Sequence, residues 1–271
     1  STIFDVEMFE KNFLSFLKTQ EKSLKIFKIE GNLSHQVYGF IVNNLNSLKE
    51  LELKVGELPQ ENSFYEFLKC NGRLNTLKLN GTIKKSNFNG FKGILTNFPN
   101  VRRLSFADTD EFIVNDVFHL ISVRFSKLLY LSVLNLHESF TADVTLPNLR
   151  TFSIRILHDI KQWKTFIERN SSIESLIVGW IKRDQFTPET INEITEHPNL
   201  RHLQFGGRFI ATKRIYDVIK KDYKSLRTLE LTVANYEEIK KLKFTFPLNK
   251  NLWIEKCEYF DEGSDREPLN D

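Results

Sequence analysis

Residues 24–29 read Leu24-Lys25-Ile26-Phe27-Lys28-Ile29, an apolar residue followed by apolar residues three and five positions on. The spacing returns as Leu48-Leu51-Leu53, Leu74-Leu77-Leu79, Val101-Leu104-Phe106 and Leu128-Leu131-Val133. It continues as Leu149-Phe152-Ile154, Ile173-Leu176-Val178, Leu200-Leu203-Phe205 and Leu226-Leu229-Leu231. A weaker tenth copy, Asn249-Leu252-Ile254, has Asn in place of the first apolar residue. Successive first positions lie 24, 26, 27, 27, 21, 24, 27, 26 and 23 residues apart. The last two apolar positions of each copy alternate in period two, as in a strand with one apolar face.

The other half of each unit has a helical period. Apolar triplets at i, i+3, i+4 precede most copies and mark one helix face. They are Phe13-Phe16-Leu17, Val37-Phe40-Ile41, Phe64-Phe67-Leu68, Phe91-Ile94-Leu95, Val117-Leu120-Ile121, Trp163-Phe166-Ile167 and Ile215-Val218-Ile219. Thr187-Pro188-Glu189 adds an N-cap, a proline and an acid suited to a first helical turn. Each unit is thus strand, turn, helix, turn. A unit this short cannot bury its apolar face alone, so neighbours must stack. The expected fold is an α/β solenoid of about ten repeats, with a parallel sheet on one side and helices on the other. Helices are wider than strands, so the stack should curve into a horseshoe with the sheet on the concave face.

The segment from Leu24 to Asn32, Leu-Lys-Ile-Phe-Lys-Ile-Glu-Gly-Asn, resembles the leucine-rich repeat consensus L-x-x-L-x-L-x-x-N. Cys257 stands where that consensus admits Cys, while most other copies lack the Asn or Cys. The chain is similar to the irregular, intracellular, eukaryotic leucine-rich repeat proteins, including the repeat domains of F-box proteins. The resemblance implies substrate recognition within a ubiquitin ligase, with an F-box ahead of the repeats docking a Skp-type adaptor and a cullin. Residues 1–20 read as a capping helix, so an F-box would lie outside this sequence. The implied location is cytoplasmic or nuclear.

Composition narrows the function. Of 271 residues, 38 are Lys or Arg and 35 Asp or Glu, a net charge of +3, so nucleic acid and anionic membranes are not the default partners. No apolar run approaches the roughly 20 residues of a membrane span. Two cysteines, Cys70 and Cys257, exclude a disulfide scaffold and a four-cysteine zinc site. Phosphate-loop, dinucleotide, zinc-protease and nucleophile-elbow motifs are missing. The nearest histidines, His197 and His202, lack the spacing of a metal pair and read as structural or solvent-facing. The expectation is a protein without catalysis, metal or cofactor. The 24 phenylalanines fall largely at repeat-core positions and need no ligand. Three glycosylation sequons, at Asn32, Asn80 and Asn170, read as unused.

One domain is expected over residues 1–260. The 21-residue step from Leu128 to Leu149 is too short for a helix, so residues 134–147 should be extended or turn. Residues 261–271 hold five acids and one arginine, net −4, and read as a disordered tail; that leaves +7 on residues 1–260. The polar residues between apolar strand positions must face the concave side. The first three copies offer charges of mixed sign, and the middle copies are neutral and small, flanked by Tyr, Trp and Arg, the types enriched at binding hot spots. The expected contact patch for a protein ligand is Arg103, Tyr130, Ser132, Thr151, Ser153, Arg155, Ser175, Ile177, Trp180, His202, Gln204 and Arg208. Other readings are a receptor, immune or regulatory repeat domain, or a module fused to an upstream enzyme.

Overall fold

A computed structural model describes residues 6–29, 34–54, 72–136, 139–141, 143–157, 160–181, 189, 194, 197–206, 225–233 and 251–256. Its strands are β1 (Ile26–Lys28), β2 (Glu50–Lys54), β3 (Thr76–Ile83), β4 (Arg103–Thr109) and β5 (Tyr130–Leu136). Then follow β6 (Thr151–Leu157), β7 (Ser175–Ile181), β8 (His202–Phe205), β9 (Thr228–Val233) and β10 (Asn251–Lys256). They form one open ten-stranded sheet in sequence order, parallel throughout. The described helices are α1 (Val6–Thr19), α2 (His35–Asn44), α3 (Phe88–Asn97), α4 (Val114–Arg124) and α5 (Ile160–Arg169). The fold is α/β, solenoid-like, with each strand beside the next in the chain.

The sequence motif is also the register. Phe27 pairs with Leu51, Leu51 with Leu77, Leu77 with Leu104, and Leu104 with Leu131. The line runs on through Phe152, Leu176, Leu203 and Leu229 to Leu252. From Leu51 to Leu229 these residues are at most 1% exposed, and the first motif positions from Leu48 to Leu226 are likewise buried. Because side chains alternate in period two, a slip of one residue would turn the whole row to the other face. Burial therefore fixes the register strand by strand.

A turn that the repeat spacing did not reveal leads into six of the strands, β2 and β4 to β8. The residue three before the first motif position offers its carbonyl to that position's N–H: Leu45 to Leu48, Phe98 to Val101, Phe125 to Leu128 and Leu146 to Leu149. Asn170 does so for Ile173 and His197 for Leu200. Pro99, Pro147 and Pro198 occupy the second turn position, where their fixed φ suits the bend. Polar residues at the third position staple the turn to the preceding unit. The Asn100, Asn148 and Asn199 amides donate to the carbonyls of Gly72, Ser126 and Ser171, and the Ser47 and Ser172 hydroxyls to those of Leu24 and Leu149. Carbonyls of one unit are thus paired with side chains of the next.

Two irregularities have local causes. β3 gains one residue between Leu79 and Thr82, where Gly81 takes φ +95, a conformation that favours glycine. Between β5 and β6 no helix occurs among the described residues, as the short step predicts, and Phe140, Val144 and Leu146 fill its place. The Phe140 ring lies 4.5 Å from Phe118 and 5.7 Å from Phe166, and Phe166 lies 4.8 Å from Phe152. Such tilted aromatic packing fills a wide gap between sheet and helices.

The helix triplets bury Val37, Ile41, Phe91, Ile94, Leu95, Val117, Ile121, Phe166 and Ile167. Phe16 departs from its triplet: it is 56% exposed, although Leu17 is buried and Phe13 meets Phe27 at 6.2 Å. α1 has a described helix neighbour, α2, on one side alone, so the flank an inner helix would bury stays in solvent. The triplets at 64–68 and 215–219, Thr187 and Pro188 of the expected cap, both cysteines and the acidic tail lie outside the described residues, and so does the Trp163 side chain; Glu189, the acid of that cap, is helical and exposed.

Candidate functional site

The sheet has one face packed into the core and one whose side chains are half-buried or exposed. On that open face the first three strands neutralise one another. Lys28 pairs with Glu52 at 3.2 Å, Lys78 with Glu50 at 2.7 Å, and the Asn80 amide donates to Glu52 at 2.8 Å. The Asn80 hydrogen bond, joined by the charges of Lys28 and Lys78, outweighs partial burial and holds the Glu52 carboxyl below its ordinary value.

The middle strands differ. Ser105 pairs in register with Ser132, and Ser132 with Ser153, so three hydroxyls stand side by side. None makes a hydrogen bond with another described residue. Strand spacing places them about 4.8 Å apart. They floor a depression of about 520 Å³ whose other walls include Asn80, Ala107, Leu134, Arg155, Ile177 and Gly179. Arg155 is exposed and unpaired among the described residues. Gly179 keeps the wall low: a Cβ there would come 3.0 Å from the Arg155 carbonyl oxygen, and one at Gly206 would come 3.0 Å from the Gly179 carbonyl oxygen.

A second depression, of about 440 Å³, opens where the strands begin and is lined by Arg103, Tyr130 and Thr151, with Asn75, Arg102, Leu129 and Arg150. Arg103 lies over the Tyr130 ring at 4.7 Å from its centroid, a cation–π contact.

The structure thus divides the expected patch. Ser132, Ser153, Arg155 and Ile177 share the first depression; Arg103, Tyr130 and Thr151 share the second. Ser175, His202 and Gln204 are half-buried on the same face and line neither. Trp180 aligns with Ile156, and Ile156 with Asn135, in a column beyond the motif; its side chain and Arg208 lie outside the described residues. Ala107 and Leu134 went unread as lining residues, because their apolar character gives no polar signal. Strand phase could have found them, since they follow the last motif position as Arg155 and Gly179 do.

The two sequence-flagged histidines separate. His202 is half-buried on the open face, while His197 is 8% exposed in the turn before β8, and neither ring nitrogen of His197 makes a hydrogen bond among the described residues. Burial holds its pKa below the ordinary 6.5, against the opposing influences of the Ile167 backbone and Glu168. Among the described residues no group of three or more His, Cys, Asp or Glu is placed to hold a metal, and no helix is long and apolar enough to cross a membrane. No protein-family model matches the chain, and no curated protein matches it.

Proposed function

We propose that this chain is a leucine-rich repeat protein of ten irregular units that binds a protein ligand on the open sheet face, without catalysis. The carrying observation is the serine row: three hydroxyls that are unpartnered among the described residues, beside Arg155, likewise unpaired among them, and apolar Ala107, Leu134 and Ile177. Such a surface offers hydrogen bonds to a partner's backbone and an anchor for its carboxylate. The rigid sheet keeps these groups pre-ordered, so little freedom is lost on binding. The Arg103–Tyr130 pair extends the face with two residue types enriched at hot spots. Within this reading the partner is a substrate of a ubiquitin ligase, with an F-box outside these residues supplying contact with a Skp-type adaptor. That step rests on the resemblance of the repeats alone.

Affinity purification from native lysate tests both parts. A specific protein recovered with the wild type should be lost with Tyr130→Ala combined with Arg155→Ala, and kept with Lys92→Ala on the helix side. Equal recovery from all three would sink the open-face reading. Failure of the full-length gene product to co-purify a Skp-type adaptor would remove the ligase role and leave the binding face standing.

A further inference from the structure

The residue after the first motif position forms a second surface, at the end of the sheet where the strands begin. Its backbone groups are linked from unit to unit: the Lys49 N–H donates to the Lys25 carbonyl, Arg102 to Asn75, Arg150 to Leu129, Arg201 to Glu174 and Arg227 to Arg201, all within 2.7–2.9 Å. The row therefore advances one strand spacing, about 4.8 Å, per unit. Six of its nine described members are basic: Lys25, Lys49, Arg102, Arg150, Arg201 and Arg227, all exposed. Among the described residues Arg150 is paired, with Glu174, and the other five have no ion pair. The 440 Å³ depression lies at the centre of this rim. There Leu129 is 39% exposed between the cations, beside the Tyr130 ring that Arg103 covers.

We propose that this rim docks an acidic, extended segment of a partner protein, with carboxylates on Arg102, Arg103 and Arg150 and one bulky apolar side chain seated on Leu129 and Tyr130. Charge complementarity sets the sign of the partner. The apolar seat sets its class. A nucleic-acid strand needs successive aromatic platforms and an uninterrupted positive track. This rim offers a single aromatic ring and carries Glu174 within the row. The inference adds to the open-face reading and shares the Arg103–Tyr130 pair with it, whereas Arg102, Leu129 and Arg150 lie outside the serine-floored depression, so variants at those three residues test the rim by itself.

Fluorescence polarisation tests it with three labelled probes: an acidic peptide with a central Phe, the same peptide with Ser in place of Phe, and an oligothymidylate of equal charge. The Phe peptide should bind at least about tenfold more tightly than either other probe. Arg102→Glu with Arg150→Glu should weaken it by about tenfold or more, and Lys92→Glu on α3 by less than about twofold. Leu129→Ala should abolish the preference for Phe over Ser while leaving binding of the Ser peptide unchanged. Circular dichroism controls for folding of each variant. No saturable binding of the Phe peptide, equal binding of the Ser peptide, tighter binding of the oligonucleotide, or an equal loss in Lys92→Glu would each overturn the proposal.

Discussion

Asn170 occupies the turn position that Leu45, Phe98, Phe125 and Leu146 fill elsewhere, and it is 1% exposed. Its amide donates to the Val144 and Phe166 carbonyls at 3.0 and 2.7 Å, and its Oδ1 accepts from the Leu146 N–H at 2.5 Å. It thereby ties α5 to the loop that replaces a helix. Asn170→Ala would leave the Leu146 N–H and the Val144 carbonyl unpaired, an expected loss of roughly 2–4 kcal/mol in urea unfolding. The same burial removes Asn170 as a glycan acceptor in the folded chain, although Asn170-Ser171-Ser172 is a sequon. His197 is the second polar residue at this position among the described turns. Its lowered pKa means the unfolded chain takes up the proton at higher pH than the folded one. Its contribution is therefore fully present above the ordinary value of 6.5 and is lost as pH falls below it. His197→Leu should flatten the stability profile between about pH 7 and about pH 5 and cost little at neutral pH. An unchanged profile in chemical-denaturation measurements would contradict the assignment.

At the scale of elements, the strands were legible because their apolar spacing and their register are the same fact: Leu77, Leu104 and Leu131 align in sequence and in space. The described helix faces were legible for the same reason, apart from Phe16, whose exposure depends on what stands next to α1. The turns were not. Asn100, Asn148 and Asn199 act through side chain-to-carbonyl bonds to residues 22–28 positions away, and apolar periodicity carries no trace of such bonds. The close approach of β6, β7 and β8 was equally hidden, since it rests on Gly179 and Gly206. Gly179→Ala sets a Cβ 3.0 Å from the Arg155 carbonyl oxygen and 3.1 Å from its Cα, and backbone must shift to admit it. The expected cost is about 1–3 kcal/mol. Ser153→Ala, which removes a half-exposed hydroxyl without a protein partner, should stay within about 0.5 kcal/mol. Equal midpoints for the two variants in denaturant would show that the strands have room to spare.

Across the whole molecule, an in-order parallel sheet turns a one-dimensional repeat into two surfaces of different chemistry. The open face moves from self-neutralised charge at Lys28, Glu50, Glu52 and Lys78 to unpartnered serines between β4 and β6. Strand phase was enough to place Ser132, Ser153 and Arg155 together, whereas the split of Arg103, Tyr130 and Thr151 into a separate depression depends on where along the strand each sits. No single copy shows the basic rim; it emerges when one position is followed from unit to unit. Partner binding at the serine floor is the central claim. A photo-reactive side chain at Ser153 tests it most directly, with the same group at Lys92 on α3 as comparison, after irradiation in cells. The account predicts a discrete protein adduct from Ser153 and none from Lys92. An adduct from Lys92 with none from Ser153 would contradict it.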